Sequence, residues 1–288
     1  MTSSTHPYLR GMRCVIVVPT YNEAATIPTL LAELAQVRSM VVDTVDLLVV
    51  DDGSPDGTAD LVRSHPGYGD WVHVLSRTSK DGLGAAYRAG FGEALDRGYD
   101  AIVQMDADGS HPVAEVPAML GLLRDHDLVV GSRYVPGGET VNWPMRRRVL
   151  SSGANTYARG VLGLRTRDTT SGFRAWRAAA LEAVGVLETA SSGYGFQVEN
   201  TWQAERRGLR IVEHPITFTE RTAGASKMTA DVAREAARLV LRWRMDELTG
   251  ARARREVRAL WDGVPCDDRD SHVPALRSDL RPPGHARR

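Results

Sequence analysis

The segment Arg13-Cys14-Val15-Ile16-Val17-Val18-Pro19-Thr20-Tyr21-Asn22-Glu23 decides the fold. Arg13–Val18 is β-branched, with no alternation of polar and apolar residues, the pattern of a strand buried on both faces. It runs into a polar turn, and Glu23–Val37 then has the spacing of an amphipathic helix. The same unit repeats outward along the chain. Strands are predicted at Asp46–Val50, Val72–Leu75, Ala101–Met105 and Leu128–Val130, and helices at Thr58–Ser64, Gly84–Arg97 and Val113–Arg124. Successive βαβ units give an α/β fold: a Rossmann-like, mainly parallel sheet with helices on both faces. Ligands of such sheets bind beyond the carboxyl ends of the strands.

From Gly131 the rhythm changes. A Gly/Pro-rich loop, Tyr134–Pro144, precedes a predicted helix at Met145–Leu162 and a loop at Arg165–Arg174. A helix near Gln197–Arg207, a strand near Leu209–Thr219, a loop at Glu220–Met228 and a long helix from Thr229 to at least Leu248 follow. Beyond Gly250 the chain is rich in Arg, Asp and Pro, and residues 251–288 are expected to be largely disordered. Residues 1–12 form a polar tail without the apolar core of a signal peptide.

The 288 residues carry 36 basic and 36 acidic side chains, a balance that argues against nucleic acid as a partner. Cys14 and Cys266 lie at opposite ends, with no metal spacing and no disulfide framework, which fits a reducing, cytosolic compartment. No stretch approaches the ~18 apolar residues of a spanning helix, so membrane contact is expected to be peripheral.

The chemistry-bearing residues fall at strand ends. Pro19-Thr20-Tyr21-Asn22-Glu23 offers a ring and a carboxylate at the mouth of the first strand, suited to a nucleobase. Asp51-Asp52-Gly53-Ser54 offers carboxylates for ribose hydroxyls, although Asp, Gly and Ser are also ordinary turn residues. Asp106-Ala107-Asp108-Gly109-Ser110-His111-Pro112 follows the fourth strand. Two carboxylates separated by one small residue across a turn can face a single Mg²⁺ or Mn²⁺, the hard ions that neutralise a diphosphate. His111 is either a further ligand or a structural loop residue. Gly131-Ser132-Arg133-Tyr134 and the run Arg146-Arg147-Arg148, followed by Ser151, supply guanidinium forks for a second anionic reactant; the alternative is a solvated helix face. Arg221 and Lys227 put two cations on a Gly-containing loop.

The ordered set ProThrTyrAsnGlu (19–23), ValAspAspGlySer (50–54), AspAlaAsp (106–108), GlySerArgTyr (131–134), AsnTrpPro (142–144), AspThrThrSerGlyPheArg (168–174) and GluArgThrAlaGlyAlaSerLys (220–227) resembles the family-2 glycosyltransferases, and most closely the dolichyl- and polyprenyl-phosphate mannose synthases. The resemblance covers Arg13 to Leu248. It implies a GT-A fold, inverting transfer, a GDP-mannose donor and a polyprenyl monophosphate acceptor at the cytoplasmic membrane face. Residues 13–130 then form the nucleotide-sugar half, 131–228 the acceptor half and 229–250 an amphipathic helix. Pro19, Tyr21, Glu23, Val50 and Asp52 match the nucleotide pocket; Asp106, Ala107 and Asp108 match the donor and metal positions. Arg221 and Lys227 match the diphosphate clamp, and Arg133, Arg147 and Ser151 the acceptor-phosphate contacts. Asp108, Arg133 and Arg147 are the expected catalytic set. Transfer of glucose or another sugar, from a UDP- or GDP-sugar, and a hydroxyl acceptor are the alternatives.

Simpler members carry a metal-binding Gln where this chain has Ser110, a shorter and weaker ligand. The spanning helices of some relatives have no counterpart here, which leaves room for a membrane-protein partner. In their place, Val232, Ala236, Leu239, Val240 and Trp243 share one face of the last helix and Arg234, Arg238 and Arg242 the other. That helix either lies on anionic lipid or packs on the domain.

Overall fold

The computed structural model describes residues 12–41, 44–189, 191, 193–220 and 230–250. Nine strands and eight α-helices occur among them: β1 Cys14–Thr20, α1 Ile27–Met40, β2 Val45–Asp51, α2 Thr58–Arg63, β3 Val72–Ser76, α3 Leu83–Asp96, β4 Ala101–Gln104, α4 Val116–Leu122, β5 Leu128–Ser132, β6 Glu139–Val141, α5 Met145–Leu162, β7 Arg174–Arg177, α6 Ala178–Val184, α7 Gly193–Arg206, β8 Ile211–Pro215, β9 Thr217–Thr219 and α8 Ala230–Leu248. Seven strands form one sheet in the order β3-β2-β1-β4-β7-β5-β8, and β6 pairs with β9 in a second, parallel sheet. In the large sheet only β7 is antiparallel to its neighbours.

The buried β1 run works as the sequence predicts. Cys14, Ile16 and Val18 face one side and join the apolar stripe of α1 (Ile27, Leu30, Leu31, Leu34, Val37) and Met119 and Leu120 of α4. Val15 and Val17 face the other side and meet Tyr87 and Phe91 of α3, Leu181 of α6 and Phe196 of α7. Gly90 permits this second contact. A Cβ there would come within 2.4 Å of Val17 Cγ1 and 2.8 Å of Val50 Cγ2, so α3 lies against the sheet at a distance only glycine allows. A third cluster joins Ala158 and Leu162 of α5, Val198 and Trp202 of α7, and Val240 and Trp243 of α8.

Three readings differ from the sequence expectation. The loop ending at Arg174 delivers β7, an unpredicted strand inserted between β4 and β5, followed by the unpredicted α6. The strand expected over Leu209–Thr219 breaks into β8 and β9, and β9 draws residues of the expected Tyr134–Pro144 loop into β6. Glu23 does not open α1; instead its carbonyl accepts the amides of Thr26 and Ile27, one turn before Pro28 fixes the helix start.

Because β7 runs against its neighbours, its beginning lies beside the ends of β4 and β5, which brings residues 168–173 to the edge where the parallel strands finish. On α8, Val240 and Trp243 are packed inward, Trp243 stacking on Trp202 at 5.8 Å, so at these two positions the apolar face meets protein. The side chains of Val232, Arg234 and Ala236 lie outside the described residues, as do residues 1–11, the Arg221–Lys227 loop, Cys266 and the tail 251–288. By their contacts the residues fall into two units, Met1–Arg244 and Met245–Arg288; of the second, residues 245–250 are described. No helix among the described residues is long and apolar enough to cross a membrane.

Candidate functional site

The ends of β1 and β2 are joined by polar side chains. Asp51 accepts from Thr20 Oγ1 (2.9 Å), Ser54 Oγ (2.6 Å) and the Ser54 amide (2.9 Å), so it holds the turn together. Asn22 takes a left-handed φ of 60° and donates its amide to Ser54 Oγ, tying the Pro19–Glu23 turn to the Asp51–Ser54 turn. Glu23 is fixed through its amide to Thr58 and its carboxylate to Thr26. Val50 is buried beside Pro19 in the β1–β2 register. Asp52 was expected to face a ribose. It meets Arg77 Nη1 at 2.6 Å, and Arg77 also reaches Asp81 at 3.0 Å. Burial pushes the Asp52 carboxyl upward, and the Arg77 charge offsets this only in part. The Lys80 ammonium lies 3.7 Å from the centre of the Tyr21 ring. Arg77 and Lys80, on the segment after β3, had no motif to mark them.

Beyond β4, Asp106 and Asp108 are held differently from one another. Tyr87, fully buried on α3, donates to Asp106 Oδ1 at 2.8 Å, and the Asp106 amide donates to His111 Nδ1 at 3.0 Å. The His111 ring stacks on Phe173 at 5.2 Å, and burial lowers its pKa. His111 thus shapes the loop. Ser110, expected among the metal ligands, is buried and donates both its hydroxyl (2.5 Å) and its amide (3.1 Å) to Asp108 Oδ1. Ala107, between the two carboxylates, is buried. Among the described residues no group of three or more His, Cys, Asp or Glu gathers to hold an ion. Two carboxylates at one strand end, Asp106 with no side chain at Gly172 to crowd it, suit a hard divalent ion whose remaining ligands are phosphate oxygens and water.

The arginines of the second half have partners. Arg133 forks onto Asp168, Nε to Oδ2 and Nη2 to Oδ1, both at 2.7 Å, and its amide adds a third bond. The side chains are 7% and 0% exposed. Burial alone would raise the Asp168 pKa, but the charge and hydrogen bonds of Arg133 outweigh it and hold the carboxyl below its ordinary value. Thr170 also accepts from Arg133. Arg133, expected at the acceptor phosphate, thus directs Nε and Nη2 at a buried carboxylate. Arg147, at the start of α5, pairs with Glu220 and lies 4.5 Å from the Trp143 ring. Ser151 is buried and accepts from the Tyr134 hydroxyl at 2.8 Å.

Aromatic contacts join the two parts of the site. Phe218 meets His111 at 5.5 Å and Trp143 at 5.3 Å, both edge to face. A continuous path therefore leads from the Asp106 amide through His111, Phe218 and Trp143 to Arg147. Phe218 and Tyr87 went unassigned in the sequence. Tyr87 left one trace, an aromatic pair with Phe91 at helical spacing.

Residues 15–185 match the sequence profile of Glycosyl transferase family 2. The chain belongs to that family. It is a glycosyltransferase, and two relatives match it over more than four fifths of its length. The undecaprenyl-phosphate mannosyltransferase of Micrococcus luteus is 50% identical over 232 residues, 81% of this chain and 94% of that protein. The polyprenol monophosphomannose synthase of Mycolicibacterium smegmatis is 47% identical over 247 residues, 83% and 91% of the two chains. Among solved structures, glucosyl-3-phosphoglycerate synthase from Mycobacterium tuberculosis with Mn²⁺, UDP-glucose and phosphoglyceric acid superposes with a TM-score of 0.60 at 20% identity, covering 83% of this chain and 82% of that one. That likeness establishes the shared GT-A fold of this family 2 chain.

Proposed function

We propose that the protein transfers mannose, with inversion, from GDP-mannose to a polyprenyl monophosphate. The observation that carries this reading is the neighbourhood of Arg147. The residue pairs with Glu220 on one side and rests on Trp143, while Met145, Val149 and Leu150 of the same helix stand 70%, 64% and 44% exposed. A guanidinium beside an uncovered apolar helix surface suits a phosphate carried on a lipid better than a soluble alcohol. An open groove lined by Arg148, Val149, Ser152, Gly153, Thr156 and Tyr157 continues that surface along α5. The names of the two mannosyl-transferring relatives support the same acceptor and sugar.

In this reading Asp106 and Asp108 hold Mg²⁺ or Mn²⁺, which would neutralise charge on the departing nucleoside diphosphate. Arg147 exchanges Glu220 for the acceptor phosphate and aims it at the anomeric carbon, a positioning effect. Arg133 keeps the Gly131–Tyr134 turn in place through Asp168, and so places the Tyr134 hydroxyl on Ser151. A phosphate dianion needs no base, consistent with Asp168 and Glu220 both being paired with arginine. Tyr21, Asp52 and Arg77 border the nucleoside. The exposed apolar and basic residues of α5 would rest on the cytoplasmic face of a membrane. Incubating the purified chain with GDP-mannose, UDP-glucose and related donors, a divalent ion and a polyprenyl phosphate tests all of this. Lipid-linked mannose with release of GDP is the expected outcome. A different sugar on the lipid, or transfer to an alcohol as efficient as to the phosphate, overturns the donor or the acceptor assignment respectively.

A further inference from the structure

We propose that Tyr87 determines which divalent ion the site prefers, by tying up one oxygen of Asp106 and confining that carboxylate to a single metal bond. The inference rests on the divalent-ion reading above. The Tyr87 ring is fixed, stacked with Phe91 at 5.6 Å and with Phe196 at 6.0 Å and nearly parallel to the latter at 3°. Its hydroxyl is aimed at Asp106 Oδ1 from the core, on the side of the loop away from solvent. The backbone of Asp106 is pinned separately by His111. Among the described residues no hydrogen-bond donor reaches Asp106 Oδ2, and Gly172 lies beside the carboxylate, where an added Cβ would sit 3.5 Å from Oδ2 and 3.8 Å from Oδ1. One oxygen is therefore engaged by Tyr87, and the other has no donor among the described residues.

At Asp108, Oδ1 takes both Ser110 donors. A carboxylate that offers a single oxygen matches a small octahedral ion at about 2.0–2.1 Å, which fills its remaining positions with other ligands, water and phosphate. Ca²⁺ takes 6–8 oxygens at about 2.3–2.6 Å and readily binds a carboxylate through both of its oxygens. An Oδ1 already accepting from Tyr87 is a poorer second ligand, which weakens bidentate binding by Asp106 and disfavours the larger ion. Tyr87 is a positioning residue: it acts on the ion through Asp106 and touches neither ion nor substrate.

Tyr87→Phe removes the hydroxyl and leaves the aromatic stack intact. With the full chain and GDP, the signal of free Mn²⁺ in electron paramagnetic resonance reports Mn²⁺ binding, and Mg²⁺ and Ca²⁺ are then titrated as competitors. The affinity for Ca²⁺ relative to Mg²⁺ should rise about tenfold in Tyr87→Phe, the scale of one hydrogen bond to a charged group. Tyr87→Leu, which also lacks the hydroxyl, should shift the ratio in the same direction if the phenylalanine variant is too unstable to titrate. Equal weakening of all three ions, with the ratio unchanged, overturns the proposal and leaves Tyr87 a packing residue. If the wild-type chain takes up no Mn²⁺ beyond what GDP binds alone, the divalent-ion reading itself fails, and the selectivity argument with it.

Discussion

The two parts of the site hold most of their charges in different ways. In the half read as donor-binding, Asp51 and Asp106 accept from the hydroxyls of Thr20, Ser54 and Tyr87, Asp108 accepts from Ser110, and Asp52 is the exception, paired with Arg77. In the half read as acceptor-binding, Arg133 and Arg147 are each met by a carboxylate. A carboxylate steadied by neutral groups keeps its charge available to a cation. An arginine already paired has to exchange its partner before it can serve a ligand. Arg133 and Asp168 are 7% and 0% exposed, whereas Arg147 and Glu220 are 18% and 23% exposed, so exchange costs less at Arg147. In the function proposed above, the same residue type then serves as scaffold at one position and as recognition group at the other.

The largest effect is expected at the donor pair. Asp108→Ala removes one of the two carboxylates proposed to hold the ion, with no third gathered there among the described residues, and should cut transfer by about a thousandfold or more, several kcal/mol, with the fold intact by circular dichroism. Full activity of the wild-type chain in excess chelator would contradict this outright.

Asp168→Asn should act on stability first. Removing one partner of a buried ion pair costs about 3–5 kcal/mol, measurable by denaturant unfolding. The pH dependence gives a second handle on the same residue. Its folded pKa lies below the unfolded value of about 3.9, so its contribution is complete above that value and is lost as pH falls through the lower, folded one. The wild-type chain should lose stability below about pH 4 by an amount that Asp168→Asn lacks.

Arg147→Ala should leave stability within about 1 kcal/mol, the usual weight of a partly exposed pair, yet raise KM for the lipid phosphate by about ten- to a hundredfold with donor binding unchanged. Arg147→Lys should recover only part of that loss, since a point charge replaces a fork. If Arg147→Ala instead destabilises the fold as much as Asp168→Asn, the distinction between scaffold and recognition arginines is wrong. The smallest effect is a decline of kcat/KM for the lipid below about pH 6, following the second ionisation of a phosphate monoester, with a nearly flat profile from about 7 to 8.

The donor half was legible because its signal is local. A buried strand such as Val15–Val18 and the turn that ends it are written in consecutive residues, and strand ends mark ligand positions in any such sheet. The acceptor half depends on partners distant in sequence. Asp168 lies 35 residues from Arg133, and Glu220 lies 73 from Arg147, so the sequence displayed the arginines without their counter-charges. Arg174–Arg177 was missed for a related reason: Arg-Ala-Trp-Arg has no strand periodicity of its own, and only its place between β4 and β5 makes it extended. Tyr87 is a third case, a polar tip on a core aromatic, indistinguishable from packing until its hydroxyl is seen against Asp106.

The insertion of β7 also orders events in time. During synthesis β1 to β4 can pair as soon as they emerge, but β4 must wait about seventy residues for the strand that covers its outer edge, and β5, made earlier than β7, has no place in the sheet until then. An uncovered, apolar central edge is a template for pairing with other chains. Slow translation or truncation between Val130 and Arg174 should therefore favour aggregates of the nascent chain, while interruptions after Arg177 leave a sheet whose middle is already closed.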